Sequence, residues 1–366
     1  MDSQFSPPGQ PAPVVTPQVV YESQTRRPST SRSALRTLFF VLLVVALGVS
    51  LLVNFGLVAS RGGTARQQPR LDEKFHSLNQ RGSDKVAIIK VEGPILDGDG
   101  FVKRQIDEVR EDSGVKAVVL RVDSPGGTVT GSDYMYHHLR SLAKERDIPI
   151  VVSMGSLAAS GGYYVAMAVG NTPNSIYAEP TTWTGSIGVI IPHYNFAGLM
   201  DEWSIEEDSV KSHPLKSMGS PTRKMTDEER AIFEGLVHDS FEGFKDIVRS
   251  GRPALRDKPE ALERIATGQV FTTQQALDNG LVDRRGFIED AIERAIELAE
   301  LKKEDVRVVE YAPQVGLLNE MLFGPQSHVA SQATQWSMLA KLAELSTPRA
   351  YYLFTWPTAS IIAGRD

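Results

Sequence analysis

Residues 35–60, LRTLFFVLLVVALGVSLLVNFGLVAS, carry no charged side chain beyond Arg36 at their start. A helix of about 20 apolar residues crosses the roughly 30 Å hydrocarbon core of a bilayer. The segment is therefore expected to be a single transmembrane helix. Its apolar run, and the tail before it, are too long for a cleaved signal peptide. Residues 1–34 are rich in Pro, Ser, Gln and Thr and poor in large apolar groups. They cannot bury enough surface to offset the entropy of ordering and are expected to form a disordered tail. Arg26, Arg27, Arg32 and Arg36 precede the span, and Arg61, Arg66 and Arg70 follow it. This near balance favours a cytoplasmic N-terminus only weakly.

A globular part must lie after the span. Residues 61–84 are polar and basic without a period and are expected to be a juxtamembrane linker. A folded domain is expected over 85–312, with a C-terminal segment, 313–366, whose aromatics are candidates for contacts between subunits. The formal net charge of the 366 residues is −6, without a long basic run, which speaks against nucleic acid as a partner. The absence of cysteine removes disulfides, thiol catalysis and cysteine-based metal sites.

Within the domain, KVAIIKVEGPI (85–95), VKAVVLRV (115–122) and IPIVVSMG (148–155) are short, continuous apolar runs. Such runs suit strands covered on both faces. FVKRQIDEVRED and GSDYMYHHLRSLAKE lie between them with helical character. Alternating strands and helices point to parallel βαβ units. SIYAE and GSIGVII are further expected strands, and FAGLMDEW a helix. Residues 209–225 are expected to be a loop, rich in Pro, Gly and Ser. Thr226 with Glu229, and Thr272 with Gln275, have the spacing of capping boxes. The first opens a helix whose apolar stripe runs from Ile232 through Phe241 to Val248. FIEDAIERAIELAE is expected to be another helix.

The chemistry centres on SMGSLAASGGYYVA, residues 153–166, where Ser160 lies between two alanines and two glycines. A serine nucleophile needs a base and a place for the oxyanion. No serine sits in a G-x-S-x-G elbow, so the α/β-hydrolase arrangement has no support. His137 and His138 fall in an expected helix and read as surface residues; His193 and His213 sit in or near loops and are weak candidate bases. A lysine can serve when burial lowers its pKa toward neutrality. Lys216, in HPLKSMGSP, stands in a stretch poor in charge, with Lys211 and Lys224 as competitors. RVDSPGGTVTG (121–131) reads as strand, glycine turn and helix. Its glycines let backbone N–H groups approach a substrate closely, although a plain tight turn would look the same.

Taken in order, VDSPGG, SMGSLAASGGYYVA, TGSIGVI and LKSMGSP resemble the signal peptide peptidase A (protease IV) family of membrane-bound Ser-Lys proteases. The match runs from about Val86 to Val282, with Gly170–Ser175 as a short insertion. The resemblance implies an α/β fold of the crotonase/Clp-protease type, a βαβ superhelix. It implies Ser160 as nucleophile, Lys216 as general base, Ser186 as the residue orienting that lysine, and Gly126 or Gly127, the latter slightly favoured, as oxyanion donor. Only one copy of the catalytic unit is present, as in half-length members. These imply a homo-oligomeric ring in which neighbouring chains supply the serine and lysine of one site. Further implications are hydrophobic, signal-peptide-like substrates, no metal or cofactor, and a catalytic domain on the outer face of the cytoplasmic membrane. Two rivals share the fold. A crotonase-type acyl-CoA enzyme would want acidic residues at the site and has no use for LKSMGSP or the anchor. An inactive membrane scaffold would not need Ser160, Ser186 and Lys216 intact.

Overall fold

A computed structural model describes residues 37–51, 54, 71–313 and 350–353. Two compact units, Met1–Gln68 and Pro69–Asp366, divide the chain. In the first, residues 37–51 are helical (α1), with Leu38, Phe39 and Phe40 exposed. The rest of the expected span lies outside the described residues. So does the expected tail over 1–34. Among the described residues no helix is long and apolar enough to cross a membrane.

The second unit is an α/β layer structure. Its elements are β1 (Leu71–Leu78), β2 (Asp84–Glu92), α2 (Phe101–Glu111), β3 (Val115–Ser124), β4 (Gly126–Thr128), α3 (Val129–Arg146), β5 (Ile150–Ala159) and α4 (Gly161–Ala166). Then follow β6 (Ile176–Ala178), β7 (Trp183–Gly185), α5 (Ala197–Glu202), α6 (Asp227–Gly251), α7 (Pro253–Arg256) and α8 (Pro259–Ile265). The last are β8 (Val270–Thr272), α9 (Thr273–Asp278), β9 (Arg284–Arg285), α10 (Ile288–Leu298), β10 (Val306–Pro313) and β11 (Tyr351–Leu353).

The main sheet runs β1-β10-β2-β3-β5-β6-β9, parallel except for β1 at its edge. β7 pairs in parallel with the last three residues of β5, and β8 pairs antiparallel with β7. The continuous apolar runs have a direct cause. Ala87, Ile89 and Val91 of β2 pack into the larger core with Ile106 of α2, Leu139 of α3 and Phe244 of α6. The alternate residues Val86 and Ile88 pack against Ala291, Ile292, Ala295 and Ile296 of α10 on the other face. Both faces are therefore dry, and no polar alternation survives.

Both capping boxes form: the Thr226 and Thr272 side chains accept from the Glu229 and Gln275 N–H groups, which opens α6 and α9. Three expectations need correction. Residues 61–84 are not wholly a linker, because β1 pairs antiparallel with β10. LDEKFHSL is mostly exposed, so this edge strand is held by ladder bonds and by ion pairs of Glu73 with Lys85 and Arg307, which leave no apolar period. GSIGVII is not a strand throughout: β7 ends at Gly185, and only Ile190 bridges onward, to Tyr351. The α6 stripe is only half buried. Phe244 and Val248 are enclosed, but Ile232 and Leu236 are 37% and 48% exposed. At about 1.5 Å per residue the helix outruns the core beneath it.

Candidate active site

The geometry around Ser160 begins with β5. This strand carries the chain to Ala159, and α4 starts at Gly161, so Ser160 forms the corner alone. Its backbone has φ 55° and ψ −116°, a region that L-residues rarely occupy. Two bonds hold it there: Ser160 N–H to the Gly185 carbonyl at 2.7 Å and Tyr164 N–H to the Ser160 carbonyl at 2.9 Å. Strain of this kind persists only where the surroundings over-determine it. The strand–turn–helix corner is the mechanical content of a nucleophile elbow, with Ala158 and Gly162 in place of the two glycines. The absence of a G-x-S-x-G pattern hid this corner. The signal that could have found it is a small residue two positions before and two after the serine.

Ser186 occupies the matching place on the next strand. Ala159 of β5 and Gly185 of β7 are register partners, so the two serines follow paired strand ends side by side. Ser186 also has positive φ, 52°. Its N–H donates to the Gln269 carbonyl at 2.7 Å and its Oγ to the Gly268 carbonyl at 3.1 Å. Both serines are buried, and both line one cavity of about 500 Å³. Ile187, Val189, Ile190, Val237 and Phe241 complete much of its wall.

The glycine turn approaches from the other side. Gly126 N–H donates to Ser124 Oγ at 3.0 Å, and that hydroxyl donates to the Gly93 carbonyl at 2.6 Å. The Gly126 N–H is therefore engaged within its own turn. Opposite it lies β11, in register Tyr352↔Gly127. Val129 N–H donates to the Ala350 carbonyl at 3.2 Å. By the two-residue alternation of an antiparallel ladder, Gly127 N–H then points at the Tyr352 carbonyl. A Cβ on Gly126 would strike that carbonyl and the Gly161 nitrogen, so both lie close to Gly126. Gly161 is the first residue of α4, and its N–H has no carbonyl one turn back to serve. Sequence reasoning did not single out the Gly161 N–H, although the residue after a serine at a strand–helix corner is the natural candidate for an oxyanion donor.

The C-terminal segment is thus partly corrected. Its described residues contact their own chain: Tyr351 and Tyr352 are buried, and Leu353 reaches the Ser160 cavity. Tyr352 stacks on Tyr164 at 5.1 Å, sits 4.5 Å from Phe244, and its hydroxyl donates to the Ser240 carbonyl at 2.8 Å. Aromatic packing drew these rings inward, against the expectation of exposed aromatics. The remainder of 313–366 lies outside the described residues.

Lys216 sits on a 3₁₀ turn, Pro214–Ser217, and is exposed. It does not line the cavity that holds Ser160 and Ser186. Among the described residues, therefore, the chain brings the two serines and the glycine turn together but not the lysine. The histidines are also elsewhere. His137 and His138 lie on α3, as expected. His213 Nδ1 accepts from Leu215 N–H at 3.2 Å, and His193 lines the adjoining groove along α6. Lys211 pairs with Glu207 at 3.1 Å. Just beyond the turn, Arg223 pairs with Glu229 and holds its carboxyl down to about 2. Among the described residues, no group of His, Asp and Glu has metal-binding geometry.

Replacing Gly126 by alanine is expected to lower turnover by about 10²-fold or more, since the methyl group would strike the Gly161 nitrogen and the Tyr352 carbonyl. The same change forces a residue with a side chain to φ +89°, a strain of about 1–3 kcal/mol. Steady-state kinetics and a thermal melt on the same sample check both effects. Unchanged turnover would place the oxyanion site elsewhere.

Comparison with known proteins agrees with this geometry. Residues 142–302 match the model of peptidase family S49. A putative signal peptide peptidase SppA of Enterococcus faecium is 32% identical over 266 residues, covering 68% of this chain and 72% of the relative. A putative protease of Synechocystis is 37% identical over 224 residues, covering 61% and 78%. Protease 4 of Salmonella typhi is 31% identical over 300 residues, 75% of this chain but 47% of that longer protein. The matched stretch takes in Ser160, Ser186 and the Lys216 turn. With its strained serine beside convergent backbone donors, the chain belongs to peptidase family S49, the signal peptide peptidase A family, and is a serine endopeptidase.

Proposed function

We propose that the protein is a membrane-anchored Ser-Lys endopeptidase that degrades hydrophobic peptides such as released signal peptides. One observation carries the reading: an extended segment, Tyr351–Leu353, lies in the groove with the Tyr352 carbonyl against Gly127 and Gly161. Its other edge bonds Ile190, N–H to carbonyl in both directions, at 2.9 and 3.0 Å. The groove accepts a polypeptide as an added strand, through backbone bonds that are indifferent to sequence. Aliphatic and aromatic walls then favour apolar side chains.

In the reaction, uncharged Lys216 takes the proton of Ser160 as Oγ attacks the scissile carbonyl. Gly127 and Gly161 N–H groups hold the oxyanion. The lysine returns the proton to the leaving amine, and water, deprotonated by the same lysine, releases the acyl group. Ser186 orients the amine. The exposure of Lys216, away from the Ser160 cavity, favours a ring of identical chains in which a neighbour supplies it. Apolar surface at Ile232, Leu236 and Trp203 is available for such contacts. The span over 35–60 anchors the ring in the cytoplasmic membrane, with the peptidase unit on the outer face.

The test is hydrolysis of a fluorogenic peptide with small apolar side chains by the full chain in detergent micelles. A lysine base requires turnover that rises toward alkaline pH. Failure to cleave by an assembled, correctly folded sample sinks the reading. A profile that falls above neutrality removes the lysine base and leaves the serine.

A further inference from the structure

We infer that Arg223 is a positioning residue for Lys216, an inference that rests on the proposed role of Lys216 as general base. The turn bearing Lys216 is shaped locally. Lys216 N–H donates to the His213 carbonyl, Met218 N–H to the Leu215 carbonyl, and Ser220 N–H to the Ser217 carbonyl, each at 3.0 Å. These bonds fix the form of the turn but do not fix where it sits. Loop 203–226 contains no other regular element, and loops of this length move unless they are tied to the scaffold.

Arg223 provides a tie to α6. Its Nη2 donates to the Ser217 carbonyl at 3.1 Å and to Ser217 Oγ at 3.3 Å, at the residue directly after Lys216. The same guanidinium makes a two-pronged pair with Glu229, Nη1 to Oε2 at 2.9 Å and Nη2 to Oε1. Glu229 is itself buried and bonded to the start of α6. Its side chain is 2% exposed, and its Oε2 accepts Thr226 N–H at 2.9 Å in the capping box of α6. A planar fork with several fixed donors can join two acceptors at a set angle, which an ammonium cannot do. The path from the first turn of α6 to the backbone beside Lys216 is therefore Glu229, Arg223, Ser217. In the sequence Arg223 stands only as a charge beside Lys224. Its long reach back to Ser217 was not legible.

A base displaced by about 1 Å loses turnover far more than it loses substrate affinity. In the full chain in micelles, Arg223→Met is expected to lower kcat by about 10- to 100-fold with KM within about twofold. Arg223→Lys is expected to recover only part of this loss. Glu229→Gln breaks the fork from its other end while keeping an acceptor for Thr226, and is expected to show the same split. The double variant is expected to be no worse than the poorer single one, since both act through one link. Thermal melts and size-exclusion profiles run beside the kinetics. A rise in KM at constant kcat, losses that multiply in the double variant, or losses that track unfolding would each overturn the inference. Lys216→Ala keeps the two claims apart. If it retains turnover, the base assignment fails. If it is inactive while both fork variants work normally, only the positioning role fails.

Discussion

Ser160→Ala is expected to reduce peptide hydrolysis by at least about 10³-fold while leaving the fold in place. The change removes one oxygen and keeps the Cβ, so the corner between β5 and α4 retains its bonds to Gly185 and Tyr164. What remains is the proposed oxyanion site, the N–H groups of Gly127 and Gly161, which would polarise a carbonyl for slow attack by water. Ser160→Gly sharpens the test. It is equally inactive, yet glycine occupies φ 55° and ψ −116° without steric conflict. It should therefore melt at a higher temperature than Ser160→Ala, by an amount corresponding to about 1 kcal/mol. Initial rates with a fluorogenic peptide and paired melts decide the matter. Retained turnover in Ser160→Ala would remove the nucleophile. A glycine variant less stable than the alanine one would show that the corner is not strained.

The strained corner also marks where sequence reasoning succeeds and where it stops. The runs Val86–Val91 and Val115–Val122 announced buried parallel strands because both sheet faces are covered. Thr226 and Glu229 announced the start of α6 because a capping box is a contact between near neighbours in sequence. β1 left no mark, since an edge strand is held by backbone bonds to β10, more than two hundred residues away. The site divides in the same way. Ser160, Ser186 and the glycine turn were found by motif. The positive φ of both serines and the arrival of Tyr352 opposite Gly127 depend on long-range packing that no local pattern encodes.

Mixing two inactive variants is expected to restore activity. Ser160→Ala chains keep the lysine, and Lys216→Ala chains keep the serine. If one site draws the two groups from neighbouring chains, a mixed ring contains wild-type sites wherever a Lys216→Ala chain receives its lysine from a Ser160→Ala neighbour. Random pairing at equal amounts gives about a quarter of all sites. The geometry of the single chain motivates this outcome. Ser160 and Ser186 line one open cavity, whereas Lys216 stands exposed on a turn outside it. A lysine general base works from a desolvated position, which burial of this turn against another chain would provide. The N-terminal half of α6, with Ile232 and Leu236 37% and 48% exposed, offers apolar surface that such an arrangement would cover. The variants are dissociated, mixed, reassembled and assayed against each variant reassembled alone. Recovery to about a quarter of wild-type turnover supports a shared site. No recovery from rings shown by mass to contain both variants would require serine and lysine to come from one chain, and the Lys216 turn would then have to fold onto its own Ser160 cavity.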